Sequence, residues 1–151
     1  MVTIIPYEQQ YQPQFRSLNM IWLDQYDLVE IHDLEVLDDP QRQILDGGGI
    51  IFLAEENGEI IGTAGLSKES DGVYELVKMC VHPDHHGKGI SRLLMDKCLE
   101  TAREWKAKKV MLFSNSRLKT AIGLYEKYGF KHLTGFEAPY DSADIKMELE
   151  I

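Results

Sequence analysis

A glycine-rich turn between an apolar segment and an amphipathic segment is the feature that most constrains how this chain can fold. Residues 73–81 read VYELVKMCV and predict a largely apolar central strand, which ends at His82-Pro83-Asp84. From Ile90 to Trp105, apolar residues recur at helical spacing and predict an amphipathic helix. Between the two segments lies Gly87-Lys88-Gly89. Free N–H groups and the dipole at such a helix start favour an anion, and glycines let the anion approach the backbone.

The remaining segments predict a sheet covered by helices. Strands are predicted at residues 2–5, 50–55, 60–66, 110–113, 130–136 and 144–150, and helices at residues 10–23, within 27–46 and at 118–125. The Asn57-Gly58 turn makes a hairpin of the second and third strands. Because hairpins and crossover helices are mixed, we expect an α/β (α+β) fold in one domain, residues 1–151. Its central sheet is mixed and mostly antiparallel, with about seven strands and about four helices on both faces.

The charge of the chain excludes several classes of partner. It has 16 Lys and Arg against 25 Asp and Glu, a net charge of −9, whereas binding to duplex nucleic acid or anionic membranes needs the opposite sign. No apolar run approaches the ~18 residues of a membrane span, and we expect no signal peptide. The two cysteines are too few for a disulfide framework and favour a reducing compartment, the cytoplasm.

The negative charge is concentrated in residues 24–46, which hold eight acids and a single base, Arg42. Such a stretch is most often a solvated acidic face. It is also compatible with a surface that attracts a cationic substrate, and the sequence leaves both interpretations open.

The turn does not match the two common phosphate-binding motifs. A P-loop requires a glycine where this chain has Pro83, and the dinucleotide fingerprint requires a glycine where it has Arg92. A plain glycine-rich helix cap is the alternative without a ligand.

Two segments together resemble a known family. His86-Gly87-Lys88-Gly89-Ile90-Ser91 is similar to the acetyl-CoA pyrophosphate loop of the GCN5-related N-acetyltransferases (GNAT), with His86 and Ser91 in place of the usual Arg or Gln and Gly or Ala. Residues 121–130 (AIGLYEKYGF) resemble a second segment of that family, and residues 74–79 and 48–55 resemble a bacterial branch of it. The resemblance implies a GNAT-like fold and acetyl-CoA as co-substrate, with no metal.

The resemblance also implies which residues bind the cofactor. The backbone of Met79, Cys80 and Val81 would pair with pantetheine like an added strand, and one of their N–H groups would polarise the thioester carbonyl. The N–H groups from about His86 to Ser91 would hold the pyrophosphate. Many members carry Asn three residues before Ala121, where this chain has Leu118, and Asn115 is the candidate to supply that side-chain contact instead. The complete set is Met79, Cys80, Val81, His86, Gly87, Lys88, Gly89, Ile90, Ser91, Arg92, Asn115 and Tyr125.

Two residues are candidates for the proton transfers of direct amine attack. Tyr125 would protonate the CoA thiolate, although its place on an apolar helix stripe also suits a core tyrosine. Glu75, an acid within an apolar strand, would act as the base, directly or through a water. It could instead lie at a solvent-exposed strand end or pair with a base; alternation places Lys78 on the opposite face unless the strand has a bulge.

The acceptor is expected to be a small cationic amine, because aromatic rings and carboxylates suit an ammonium group. The resemblance places its site at the first two helices and the loop between them, where Trp22, Asp24, Tyr26 and Asp33 are candidates, and Tyr140 of the last hairpin is a further candidate. A peptide acceptor, or an acyl-CoA-binding regulator without activity, remains an alternative. A homodimer is possible.

Two further chemistries are disfavoured. His82, His85 and His86 have no fourth ligand spaced with them, so we expect no metal site. Cys80 is interpreted as a small strand residue and not as a nucleophile.

Overall fold

The computed structural model describes residues 1–151 and contains a seven-stranded sheet. The strands are β1 (Thr3–Pro6), β2 (Ile50–Glu56), β3 (Glu59–Ser70), β4 (Val73–Val81), β5 (Lys109–Ser114), β6 (Lys131–Leu133) and β7 (Ile145–Glu150). The helices are α1 (Gln12–Gln25), α2 (Ile31–Asp38), α3 (Ile90–Glu104) and α4 (Lys119–Lys127), with short helical turns at Gln9–Tyr11, Gln41–Leu45 and Pro83–His85. The order is β1-β2-β3-β4-β5-β7-β6, and only β4 and β5 are parallel neighbours. The predicted mixed, mostly antiparallel sheet is confirmed.

The helices cover the two faces of this sheet in pairs. Alternation along β2 shows this division, because successive side chains of a strand point to opposite faces. Ile51 and Leu53 are buried with residues of α1 and α2, whereas Phe52 and Ala54 are buried with residues of α3 and with Tyr125 of α4. None of the helices combines the length and the apolar character needed to cross a membrane.

Local signals in the sequence explain where the helices begin and end. Glu30 and Asp33 form a capping box at the start of α2, each side chain accepting a hydrogen bond from the other residue's backbone N–H. Helix α2 ends at Asp38, and Asp39 leaves the helical conformation. Asp39 precedes Pro40, and a proline disfavours helical conformation in the residue before it. The helical pattern predicted within residues 27–46 is therefore two pieces, α2 and the turn at Gln41–Leu45.

The strand predicted at residues 130–136 is wrong in length, since β6 comprises only Lys131–Leu133. The chain leaves the sheet after Leu133, and the rings of Phe136 and Tyr140 lie 6.0 and 6.3 Å from the ring of Phe113. Packing of these aromatic side chains on β5 thus replaces strand pairing, and residues 134–144 form a loop.

A bulge in β4 shapes the centre of the sheet. Gly65 of β3 is opposite Val77 and Thr63 is opposite Cys80, so β4 has one residue more than β3 over this interval. Lys78 lies in the extra stretch with φ of 52°, a conformation that is uncommon for a residue with a side chain. The Thr63 hydroxyl donates to the Lys78 carbonyl at 2.7 Å and holds the bulge.

Candidate functional site

A cleft of about 800 Å³ opens where β4 and β5 separate. The two strands pair only from Val73 opposite Lys109 to Glu75 opposite Met111, although both continue further. From Leu76 to Val81, the edge of β4 that faces β5 therefore has no strand partner. Such an edge can accept an extended ligand as an added strand, which fits the expectation for Met79, Cys80 and Val81.

The glycine-rich turn forms one wall of this cleft. The backbone N–H groups of residues 87–92 donate to no oxygen of the protein, and α3 has no side-chain cap. Gly87 and Gly89 have φ of 81° and 76°, and a Cβ on either would have no atom within 4 Å. His86 braces the turn, with its Nε2 2.9 Å from the Val81 carbonyl oxygen. Six free N–H groups next to open space are an arrangement that suits an anion.

Two cations without acidic partners lie beside this turn. Arg92 and Lys127 line the cleft and also an adjoining hollow of about 280 Å³, together with Leu124 and Tyr128. The carboxylate of Asp96 accepts a hydrogen bond from the Tyr128 hydroxyl at 2.6 Å and forms no ion pair with Arg92 or Lys127. In a chain with a net charge of −9, unpaired cations at this position add to the attraction for an anion.

Tyr125 of α4 is 8% exposed, and its hydroxyl makes no hydrogen bond within the protein although it is not fully enclosed. Burial, with a smaller contribution from Cys80, raises the pKa of Tyr125 to about 12, so the phenol holds its proton at neutral pH. Burial also raises the pKa of the Cys80 thiol to about 11, which disfavours a thiolate nucleophile.

Glu75 lines the same cleft and has no ionic partner. The bulge brings Lys78 to this side of the sheet, but Lys78 pairs with Asp33 of α2 and not with Glu75. Burial, followed by the negative charge of Glu69, raises the pKa of Glu75 to about 7. A carboxyl group with such a pKa can exchange protons at neutral pH, as a general base must.

Aromatic side chains and carboxylates form the far end of the cleft. The rings of His32 and Tyr140 stack with centroids 3.8 Å apart, which joins α2 to the loop before β7. The Glu30 carboxylate accepts a hydrogen bond from the Ser142 backbone N–H at 3.0 Å and makes a second link. Burial raises the pKa of Tyr140, and Glu75, Asp33 and Glu30 raise it further, so three acidic side chains lie near this end of the cleft.

The cleft brings together most residues singled out in the sequence. Those that line it are Trp22, Tyr26, Asp33, Glu75, Met79, Cys80, Val81, His86, Gly87, Gly89, Ile90, Ser91, Arg92, Asn115, Tyr125 and Tyr140. The side chain of Lys88 does not line the cleft, and its Nζ lies 3.2 Å from His85 Nδ1.

The structure places two of the candidate residues differently from the others. Asp24 is exposed and lies outside the cleft, because two residues along a helix rotate a side chain by about 200° away from Trp22. Asn115 lines the cleft, but its amide N–H donates to the Ser142 carbonyl at 3.0 Å and its oxygen accepts from the Arg117 N–H at 3.0 Å. Its side chain therefore holds two loops of the protein together.

Four residues that matter to the cleft were not among the candidates from the sequence: His32, Lys78, Phe113 and Lys127. Simple alternation places Lys78 on the opposite face, and the bulge in β4 brings it into the same cleft as Glu75. No local signal marked His32 or Phe113. No group of three His, Cys, Asp or Glu side chains is arranged to hold a metal ion.

Comparison with known proteins adds independent information. Residues 11–130 match the sequence profile of the acetyltransferase (GNAT) family. An uncharacterized N-acetyltransferase of Mycobacterium tuberculosis is 39% identical over 97 residues, which cover 64% of this chain and 58% of that protein. The aligned part thus spans less than two thirds of that relative.

Solved structures show the same fold. An acetyltransferase of the GNAT family from Staphylococcus aureus superposes with a TM-score of 0.91 at 22% identity and covers 99% of both chains. YncA of Salmonella typhimurium, solved with its cofactor acetyl-CoA, superposes with a TM-score of 0.77 at 21% identity, over 99% of this chain and 94% of that one.

Proposed function

The chain belongs to the acetyltransferase (GNAT) family, and from this premise we propose that it transfers an acetyl group from acetyl-CoA to a primary amine. The observation that carries the proposal is the position of Glu75 and Tyr125 in one cleft with the free N–H groups of residues 87–92. This arrangement combines a site for an anion with a candidate base and a candidate acid. The relative YncA, which has the same fold, was solved with acetyl-CoA.

The residues of the cleft suit the parts of acetyl-CoA. The turn at residues 87–92 offers N–H groups for the pyrophosphate, and Arg92 and Lys127 offer positive charge for phosphate. The unpaired edge of β4 offers N–H and carbonyl groups for the amides of pantetheine. Acetyl-CoA supplies the activated acyl group as a thioester.

Proton transfers by two residues balance the reaction. The amine nitrogen bonds to the carbonyl carbon while the carbon–sulfur bond breaks, and the acceptor ammonium gives up two protons. Glu75 takes the first proton, directly or through a water, and passes it to solvent, which frees the nitrogen lone pair. Tyr125 gives its proton to the departing thiolate. The second proton from the acceptor nitrogen then returns Tyr125 to its protonated form. A backbone N–H of the β4 edge stabilises the negative charge that develops on the carbonyl oxygen.

We further propose a small cationic amine as the acceptor. Support comes from the aromatic rings of Trp22, Tyr26, Phe113 and Tyr140 along the cleft and from the unpaired carboxylate of Glu75. The stack of His32 on Tyr140 bridges α2 and the loop before β7, which favours a small acceptor over an extended peptide.

Calorimetric titration of acetyl-CoA, with a matched pair of variants, tests the binding step. Gly89 and Gly58 have φ of 76° and 81° with open space around them, so alanine meets the same backbone strain at both. Gly58 lies in the hairpin between β2 and β3, away from the cleft. We expect wild type and Gly58→Ala to bind one acetyl-CoA per chain and Gly89→Ala to bind at least tenfold more weakly. Equal binding by both variants would contradict the assignment of the turn.

The release of free thiol, measured with each member of a panel of acceptors, tests the transfer step. Diamines and other cationic amines should turn over faster than neutral amines, acidic amines or peptides. Binding of acetyl-CoA without turnover of any acceptor would favour the acyl-CoA-binding regulator. Faster turnover of peptides would favour a protein N-acetyltransferase.

A further inference from the structure

A buried ion pair connects α2 to the bulge of β4. The Lys78 ammonium donates to Asp33 Oδ1, and the two side chains are 10% and 5% exposed. The other oxygen of Asp33 accepts from the Glu30 backbone N–H at 3.0 Å, and His32 Nε2 lies 3.3 Å from Oδ1. Buried pairs seldom add net stability over apolar packing, so their presence calls for another explanation.

The protein holds the backbone of Lys78 independently of this ion pair. Asn19 and Thr63 are fully buried, and the Asn19 amide donates to the Thr63 hydroxyl at 3.1 Å. The same hydroxyl donates to the Lys78 carbonyl at 2.7 Å. These contacts fix the backbone of Lys78. The contribution of Asp33 is therefore to orient the Lys78 side chain and to balance its charge.

Lys78 and Glu75 lie in the same cleft, and the charges around Glu75 come from several elements. Glu69 of β3, Lys78 of β4 and Lys146 of β7 act on the Glu75 carboxyl, and Tyr140 of the loop before β7 lies near it. Without Asp33, no carboxylate would balance Lys78, whose positive charge acts on Glu75. An unbalanced positive charge would stabilise the ionised Glu75 carboxylate and make it a weaker base.

We propose that Asp33 is a positioning residue for acetyl transfer: by binding Lys78, it keeps the Glu75 carboxylate free to accept a proton from the acceptor. The proposal rests on the proposed function of Glu75 as the base. The proposal explains why an ion pair, and not apolar packing, lies between α2 and the bulge of β4.

The variant Asp33→Asn keeps the shape of the side chain and removes its charge. The positive charge of Lys78 then has no negative partner. We expect the acidic limb of the pH profile of kcat/KM to move to lower pH by about one pH unit and the maximal kcat/KM to decrease. Lys78→Met leaves Asp33 unbalanced and should move the limb upward. The double variant Asp33→Asn/Lys78→Met is neutral at both positions and should return the limb to its wild-type position. Circular dichroism and acetyl-CoA binding verify that each variant is folded.

NMR titration of the Glu75 carboxyl carbon, assigned by its absence from Glu75→Gln, measures the same shifts without turnover. If no amine is acetylated, the proposed function fails, and this titration still decides whether Asp33 controls the protonation of Glu75. A Glu75 titration midpoint unchanged in Asp33→Asn would overturn the proposal. So would a double variant that shifts as far as the single one, or variants that lose activity with no shift, since these results indicate a structural role only.

Discussion

Replacement of Glu75 by Gln removes the candidate base while keeping its size. With a pKa of about 7, Glu75 is about one-tenth ionised at pH 6 and about nine-tenths ionised at pH 8, so kcat/KM of the wild type should rise about tenfold over this interval. Glu75→Gln should be slower by about 10²–10⁴-fold at pH 8, the usual contribution of a general base. Thiol release with an acceptor amine of known pKa measures both effects.

The same replacement should change stability in a pH-dependent way. Because the folded protein raises the pKa of Glu75 from 4.5 to about 7, it binds the proton more tightly than the unfolded chain does. This contribution to the free energy of unfolding is complete below pH 4.5 and is lost as the pH rises through 7. Glu75→Gln should therefore match the wild type at acidic pH and exceed it by up to about 3 kcal/mol at pH 8 in urea unfolding.

Glu69→Gln is the matched control, because Glu69 is an exposed acid whose charge raises the pKa of Glu75. It should keep the maximal rate and move the acidic limb slightly to lower pH. The reasoning is refuted if Glu75→Gln retains the wild-type rate and limb, or if its stability relative to wild type is the same at pH 4.5 and pH 8.

Further substitutions test the acid, the anion site and the core. Tyr125→Phe should slow turnover by about 10²–10⁴-fold in steady-state kinetics while calorimetry shows unchanged acetyl-CoA binding; turnover at the wild-type rate would contradict the acid role. Arg92→Ala should weaken acetyl-CoA binding and flatten its salt dependence, whereas Lys88→Ala, whose side chain lies outside the cleft, should do neither. Leu94→Ala should lower the free energy of unfolding by about 2–5 kcal/mol because Leu94 is fully buried, whereas Leu93, 42% exposed, should tolerate alanine within about 0.5 kcal/mol; equal losses in urea unfolding would refute the packing described.

The sequence alone determined the main course of the fold, because its strongest signals are local. The amphipathic pattern from Ile90 onward and the glycines at 87 and 89 depend on residues adjacent in the chain, and α3 begins at the predicted position. Hairpin turns and apolar runs likewise placed β2, β3 and β4 within a few residues of their observed bounds. Such signals predict which elements exist and where an anion can bind.

Tertiary structure alone decided which side chains meet at the far end of the cleft. The bulge that brings Lys78 into the same cleft as Glu75 depends on pairing with β3. The partner of Lys78, Asp33, is 45 residues away in the chain. The loop that places Tyr140 on His32 forms because aromatic packing replaces strand pairing after Leu133. Contacts between distant segments leave no periodic trace in the sequence, so the protonation of Glu75 at neutral pH follows only from the folded arrangement of charge and burial.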